Sequence, residues 1–600
     1  MKRLFFILML ILPSWIWAEN IPQWKAEELA VRFLSSVQTS RSGSIVLEMV
    51  CDGTEHSRGR GESGNPPFYV FNNTTGKGFV IVSGEDVSTP VLGYSFENNF
   101  PAGGIPINLQ GMMDHYTRQI NYARSNGYSA PEEISRLWKT GSVPTPGNVV
   151  LNYKTAHWDQ EEPDNDSCFV INGTRASTGC VATATAIVMR HHGWPEAGKG
   201  YIPSYSYKDV ESGEIFTVPG RQLGHSYNWK AMPMVYDRNS SVESRIQIAR
   251  LMADLGVMLR SCYSENNGTG ACNQDIPVSL IKYMDYAPTA QFVYRRMYSN
   301  QEWSEMMQNS LKQYGPIVYG GEDTPETGHA FVLEGFTDNG YYSFNLGWGG
   351  YCNGYYKLDA INVDGFNLKN NQDAIIGIKK NEGEAAYEDI ILDYFSSNKF
   401  YPYASRRGMS ISDDTITYNR PFTLFVQNIM NNGTKIYNGL DIDIMVTDKN
   451  YRIKEKIGEI SIKSTFRYRE VLSGSITCLV SGTFTPGDRI CLFYHPAGDS
   501  TRWERIKGIH DEIILEEVRI PSKDIELGYN RSSKDLTLRY SGEVADLSLV
   551  DPEGRFKYIG KIGKENVFIL HTLRLKAGKY FLHINMQGYF KELSFIIDNP

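Results

Sequence analysis

The segment Ser177-Thr-Gly-Cys-Val-Ala-Thr-Ala-Thr-Ala-Ile-Val-Met-Arg-His-His-Gly-Trp-Pro195 limits the fold more than any other. From Cys180 onward it predicts a helix that is small or apolar on nearly every side, so the helix has to be packed all round. Ser177 or Thr178 is placed to cap it, Gly179 permits a close backbone approach, and Gly193 with Pro195 ends it. Cys180 falls in the first turn. There the positive end of the helix dipole lowers a thiol's pKa, and free backbone N–H groups can hold an oxyanion. A small buried cysteine is the other use of such a position, so a partner has to be found.

A thiolate nucleophile needs a base within hydrogen-bond reach, and eleven histidines are available. His191 and His192 lie roughly 16–18 Å along the same helix at its rise per residue, too far to serve. They read as helix C-terminal residues favoured by the dipole. His329 stands in Thr327-Gly-His-Ala-Phe-Val-Leu-Glu-Gly-Phe, about 150 residues after Cys180, a spacing found in papain-like enzymes. A turn, Thr337-Asp-Asn-Gly, leads from there into Tyr341-Tyr-Ser-Phe-Asn-Leu-Gly-Trp-Gly-Gly. The pattern predicts a hairpin with His329 at one end and Asn345 near the other end of the partner strand, able to orient the imidazole.

Six hundred residues exceed one core and predict roughly three to five domains. Lys2 and Arg3, the apolar run Leu4 to Leu12, and Ala18 read as a secretory signal peptide over residues 1–18. No later segment is apolar enough to span a membrane, so the expected location is secreted or cell-surface. A formal charge of −8 lacks the basic excess of a nucleic-acid binder. Peptides, proteins and small molecules remain as partners. Eight cysteines are too few for a disulfide scaffold. Cys262 with Cys272, and Cys478 with Cys491, are close enough in sequence to pair, which only geometry decides. No zinc-spaced cluster occurs, and neither metal nor other cofactor is expected.

Residues 24–36 predict a helix carrying Leu29, Ala30, Phe33 and Leu34 on one face. Short strands follow at Phe68, Gly78 and Val91, and then a second amphipathic helix with Leu109, Met112, Met113, Tyr116, Ile120 and Ala123. Together they make an α+β module over residues 19–140. Ala130 to Asn148, rich in Pro, Ser, Thr and Gly, reads as an exposed linker open to proteolysis. Residues 141–382 contain the chemistry. Beyond Glu382, alternating runs such as Phe422-Thr-Leu-Phe-Val-Gln and Leu440-Asp-Ile-Asp-Ile-Met-Val predict β-sandwiches at 383–521 and 522–600, with a boundary near Pro521.

The stretch GCVATATAIVMRHHGWP, the GHAF motif and NLGWGGYCNGYYKLDAIN resemble the streptopain family of bacterial secreted cysteine proteases. YVFN, GFVIVSGED and PVLGYS resemble that family's inhibitory propeptide. The resemblance implies an α+β, papain-like two-lobed catalytic domain, preceded by an α+β propeptide and here followed by all-β sandwich domains. It implies a zymogen whose propeptide acts as an intramolecular inhibitor and is removed autocatalytically, and an endopeptidase acting on proteins and peptides. Cys180 would be the nucleophile and His329 the base, held by Asn345 or the ring of Trp348, with the Gln160 amide completing an oxyanion hole. Where the family often has a tryptophan, this chain has Leu346, a change expected to shield the His–Asn contact less well. A related thiol acyltransferase, or a catalytically weak binding protein acting through its C-terminal sandwiches, would use the same residues differently.

Overall fold

The computed structural model describes residues 20–597 except 37–44, 55–64, 102, 141–144, 210–211, 265–267, 325–326, 362–371, 393–407, 412–415, 417–420, 481–486, 500, 509, 516–524, 531–534, 541–544, 553–554, 564–565, 572–574 and 587–588. The expected signal peptide and the boundary at Pro521 lie outside the described residues. The chain divides into two compact units, Met1–Ala385 and Ala386–Pro600.

In the first unit, α1 (Gln23–Ser35) buries Ala26, Leu29, Ala30, Phe33 and Leu34, a stripe at helical spacing. The stripe packs on Phe71, Val80 and Val82 of a four-stranded meander. The meander runs β1 (Leu47–Cys51), β2 (Phe68–Asn73), β3 (Phe79–Ser83) and β4 (Val91–Ser95). Helices α2 (Ile107–Ser125) and α3 (Glu132–Thr140) and strand β5 (Val149–Asn152) come next, followed by α4 (Cys180–His192), α5 (Val242–Met258) and α6 (Asp275–Met284). Then come β6 (Gln291–Tyr294), α7 (Asn300–Tyr314), β7 (Ile317–Thr324), β8 (Thr327–Thr337), β9 (Tyr342–Asn345), β10 (Gly354–Tyr356) and β11 (Gln372–Ile376).

These strands form one eleven-stranded sheet in the order β1-β2-β3-β4-β10-β9-β8-β7-β11-β6, with β5 added on β8. The N-terminal module expected to stand as a separate domain therefore shares a sheet with the catalytic region. The join is antiparallel, Tyr94 opposite Tyr355 and Gly93 opposite Tyr356. Each side supplies the edge partner that an open strand lacks. A Cβ on Gly93 would fall 2.7 Å from the Tyr356 ring, so the close approach needs glycine there. One apolar core follows the sheet across the join, with Phe79, Met112 and Tyr116 meeting Phe331, Phe344 and Tyr356.

The stretch expected to be an exposed linker is partly ordered. α3 lies within it, and Trp138 is buried with its indole N–H on Ser88 O at 2.9 Å. Ile134 and Trp138 recur one turn apart, and this apolar pair outweighs the loop-like composition around it.

In the second unit, two five-stranded sheets share a core containing Leu424, Val426, Ile442, Ile444 and Leu492. The alternation read from sequence is real here: Phe422, Leu424 and Val426 point inward. A three-stranded and a four-stranded sheet follow, with Leu538, Leu547, Leu582 and Ile584 between them. All eight cysteines are free thiols. Cys478 lies in the inter-sheet core, whereas Cys491 clusters with Met445 and Phe493 on the other face of its sheet, so those two cannot meet. Cys262 and Cys272 are exposed and unjoined.

Candidate active site

Helix α4 is enclosed as its composition requires, with every residue from Val181 to Met189 buried. Its buried hydroxyls are bonded: Thr178 Oγ1 to Thr183 Oγ1 at 2.5 Å, and Thr185 Oγ1 to Val181 O at 2.7 Å. The cap differs from expectation. Gly179 occupies the N-cap with φ +84° and no side-chain bond. A Cβ there would lie 2.6 Å from Thr269 O, so crowding and backbone angle both demand glycine. The helix ends at Gly193 in the left-handed region.

Cys180 opens α4 and is half-buried. The backbone N–H groups of Ala330, the residue after His329, and of Val181 and Cys180 itself lie near enough to the sulfur to favour its thiolate. Burial pushes the thiol above its ordinary value of 9.0, and these donors only partly offset that. Desolvation of a thiolate thus works against the helix terminus expected from sequence to lower the thiol.

His329 sits on β8 opposite Gly321 of β7. It faces the side covered by α2, lining a cavity of about 30 Å³ with Asn108, Met112, His115 and Phe331. Such a space has room for about one water and none for a peptide. His191 and His192 stand in the last turn of α4 as expected, but burial opposes a charge there. Burial lowers His191 and takes His192 down to about 4. Their rings pack on Tyr153 and Tyr286 instead.

Asn345 is fully buried and lies opposite Val332, three residues along β8 from His329. Its Nδ2 donates to Thr155 Oγ1 at 2.8 Å and Ala156 O at 2.9 Å, and its Oδ1 accepts from Gly347 N at 3.1 Å. Thr155 is held in turn by Glu334, through Thr155 N at 2.6 Å and Oγ1 at 2.7 Å. Leu346 is completely buried in the shared core. Trp348 is half-buried against that core, and its buried indole N–H has no acceptor among the described residues. The glycine turn around it docks on the Trp158 loop, with Gly349 N on Trp158 O at 3.0 Å.

That loop positions Gln160. Gln160 O accepts Thr178 N at 2.9 Å, two residues before Cys180, and Asn165 Nδ2 donates to Ala176 O at 3.2 Å. Gln160 is 6% exposed, and its Nε2 has no acceptor among the described residues. A buried, unpaired amide donor is uncommon, and it suits a site where negative charge develops during reaction.

A clamp between α2 and the catalytic region escaped sequence reading. Asn108 Nδ2 donates to Leu346 O at 2.6 Å. Gln119 Oε1 accepts Ala360 N at 2.7 Å and Ile361 N at 3.2 Å, while its Nε2 donates to Asp359 Oδ1 at 3.1 Å. His115 Nε2 lies 3.3 Å from the same oxygen, and Arg295 Nη2 donates to Asp359 Oδ2 at 2.9 Å. Burial opposes ionisation of Asp359, but the His115 bond and the Arg295 charge prevail and hold it at about 2. The available signal was polar residues on the apolar stripe of α2: Asn108, His115 and Gln119 share its helical spacing. Among the described residues, no group of three His, Cys, Asp or Glu side chains could hold a metal.

Residues 158–356 match the model of the Peptidase C10 family, and residues 18–120 that of the Spi protease inhibitor. The chain is thus a cysteine peptidase with its inhibitor-like segment in front of it, a zymogen arrangement. Streptopain of Streptococcus pyogenes is 30% identical over 385 residues, covering 59% of this chain and 91% of streptopain. The chain belongs to the Peptidase C10 family. The thiol protease/hemagglutinin PrtT of Porphyromonas gingivalis is 29% identical over 406 residues, covering 64% of this chain but only 45% of PrtT. Among solved structures, a fragment of Prevotella intermedia prointerpain A is 25% identical with a TM-score of 0.42, covering 56% of this chain and 99% of the fragment.

Proposed function

We propose that the chain is a secreted endopeptidase, latent until its N-terminal module is removed, in which Cys180 attacks the scissile carbonyl and His329 is the base. One observation carries the assignment: α4 packs on β8, with the backbone N–H of the residue following His329 near the Cys180 sulfur, so the two side chains arise from adjoining points of α4 and β8. Departure of α2 uncovers His329 and hydrates Cys180, which lets the thiol titrate lower. His329 then takes the thiol proton, and the thiolate adds to the carbonyl carbon. The oxyanion is held by the α4 N-terminal N–H groups and Gln160 Nε2. His329 returns the proton to the leaving amine, and then activates the water that hydrolyses the acyl-enzyme. Asn345 braces the Gly347–Gly350 turn and keeps a second Oδ1 lone pair free to orient His329.

The cut that frees the enzyme is expected between Thr140 and Thr145. Trp138 belongs to the N-terminal module through Ser88, whereas Thr145 O already accepts from Asn339 of the catalytic region at 2.7 Å. Cys180→Ala should fold, cleave no protein and keep its N-terminal module, while the wild type shortens at this point. Undiminished cleavage by Cys180→Ala would refute the assignment. N-terminal sequencing of the wild-type product reads the cut.

A further inference from the structure

Although the chain carries a formal charge of −8, one cavity of the first unit is walled by arginines. It has a volume of about 320 Å³, and Arg221, Arg245 and Arg250 line it together with Asp166. Residues Val242, Arg245, Ile246, Ala249 and Arg250 follow one another at helical spacing, so they share a single face of α5. No residue of the N-terminal module lines the cavity.

Two of the three arginines are already neutralised. The Nε of Arg221 pairs with Asp254, which is fully buried, and Arg245 Nη2 lies 3.0 Å from Asp166 Oδ2. Among the described residues, Arg250 has no carboxylate within ion-pair distance, and the terminal nitrogens of Arg221 have no acceptor. The side chains of Arg221 and Arg245 are only 31% and 34% exposed, so these are not freely solvated surface cations. Partly desolvated guanidinium groups with unused donors are strong receptors for carboxylates. Beside them, Val242 and Ile246 are 72% and 48% exposed, unusually open for β-branched apolar residues. The volume lies near the lower end of ligand sites, which run from about 300 to 1,000 Å³.

We propose that this cavity is an exosite that binds an acidic, partly apolar peptide segment, with Arg250 and Arg221 taking its carboxylates and Val242 and Ile246 taking the side chain between them. A small inorganic anion would satisfy the arginines and leave the apolar wall exposed. A peptide alternating acidic and apolar residues covers both. As a substrate site the cavity rests on the peptidase reading, and it would favour proteins carrying an acidic stretch away from the bond cut. Its binding, however, is measured without catalysis.

The test uses the full chain with Cys180→Ala and a fluorescein-labelled peptide, Glu-Leu-Asp-Leu-Glu, followed by fluorescence anisotropy. Saturable binding that weakens with added salt is expected, and Lys-Leu-Lys-Leu-Lys should not bind. Arg250→Glu and Arg250→Gln should each weaken binding about tenfold or more, as loss of a charge-assisted contact does. Ile246→Ser should weaken it less, and melting temperatures should stay unchanged. Equal affinity in the Arg250 variants, or equal binding of the basic peptide, would overturn the proposal. Displacement by inorganic phosphate as effective as by unlabelled peptide would overturn it too, by making the cavity a small-anion site. Failure of the enzyme to cleave protein would leave these binding results standing.

Discussion

Truncating Gln160 to alanine separates a catalytic role from a merely structural one. The backbone ties of the loop survive the change, since Thr178 N bonds to Gln160 O at 2.9 Å and Gln160 N to Asp159 Oδ1 at 2.6 Å. Loss of the one buried methylene, Cγ, costs about 0.8 kcal/mol. Removal of a buried amide donor that has no acceptor returns about 1–3 kcal/mol. Stability should therefore be kept or raised, by up to about 2 kcal/mol. Activity should not be spared, because loss of one oxyanion donor lowers kcat by about 10²–10³, or about 3–4 kcal/mol. The assay is kcat and KM of the processed enzyme on a fluorogenic peptide, beside a thermal melt of the same sample. A large fall in kcat with KM nearly unchanged and a melting temperature equal or higher is the expected outcome. If kcat stays within threefold while the protein melts several degrees lower, Gln160 is a turn residue and the oxyanion assignment fails.

Gln119→Ala should strip the buried Ala360 and Ile361 N–H groups of their acceptor. At about 1–3 kcal/mol for each unsatisfied group, the hold of α2 weakens by about 2–6 kcal/mol, seen as faster self-processing of the full chain; an unchanged rate would exclude the clamp. His329→Ala should remove nearly all activity, whereas Asn345→Ala should lose less activity but more stability, having given up bonds to Thr155, Ala156 and Gly347; negligible activity loss in both would assign the base elsewhere. In the uncut chain the Cys180 thiol is raised above 9.0, so burial stabilises the fold while the thiol is protonated. That contribution fades as pH climbs past 9.0 toward the folded-state value. Iodoacetamide should accordingly label Cys180 slowly at neutral pH before processing and quickly after it, as read by site-resolved mass spectrometry; equal rates would contradict the burial argument.

Patterns confined to neighbouring residues were legible without coordinates. An all-round apolar run with Cys180 at its start predicts a buried helix, and α4 is one. Glycine before His329, a turn and a second strand predict a hairpin, and β8 with β9 form it. The alternation at Phe422, Leu424 and Val426 predicts an inward face and meets one. The cap on α4 was misjudged because Gly179 answers to Thr269, a contact no local pattern records. The stretch around Trp138 reads as a linker because its seat, on Ser88 O and in the core with Phe33 and Tyr94, lies far back in the chain.

What the amino-acid sequence determined alone is thus most of the elements and their buried faces, with a cysteine and a histidine of types suited to react. Tertiary structure decided how those elements restrain one another. The edge pairing of β4 with β10, which joins the N-terminal module to the catalytic sheet, depends on two strands finding complementary open edges. The clamp at Asp359 reaches Gln119 across 240 residues. Cys180 follows the same rule: a helix terminus is a local feature and predicts a lowered thiol, whereas burial, which raises it, depends on α4 packing against β8, about 150 residues away. Desolvation is a property of everything packed around a group, so only the assembled fold could decide it.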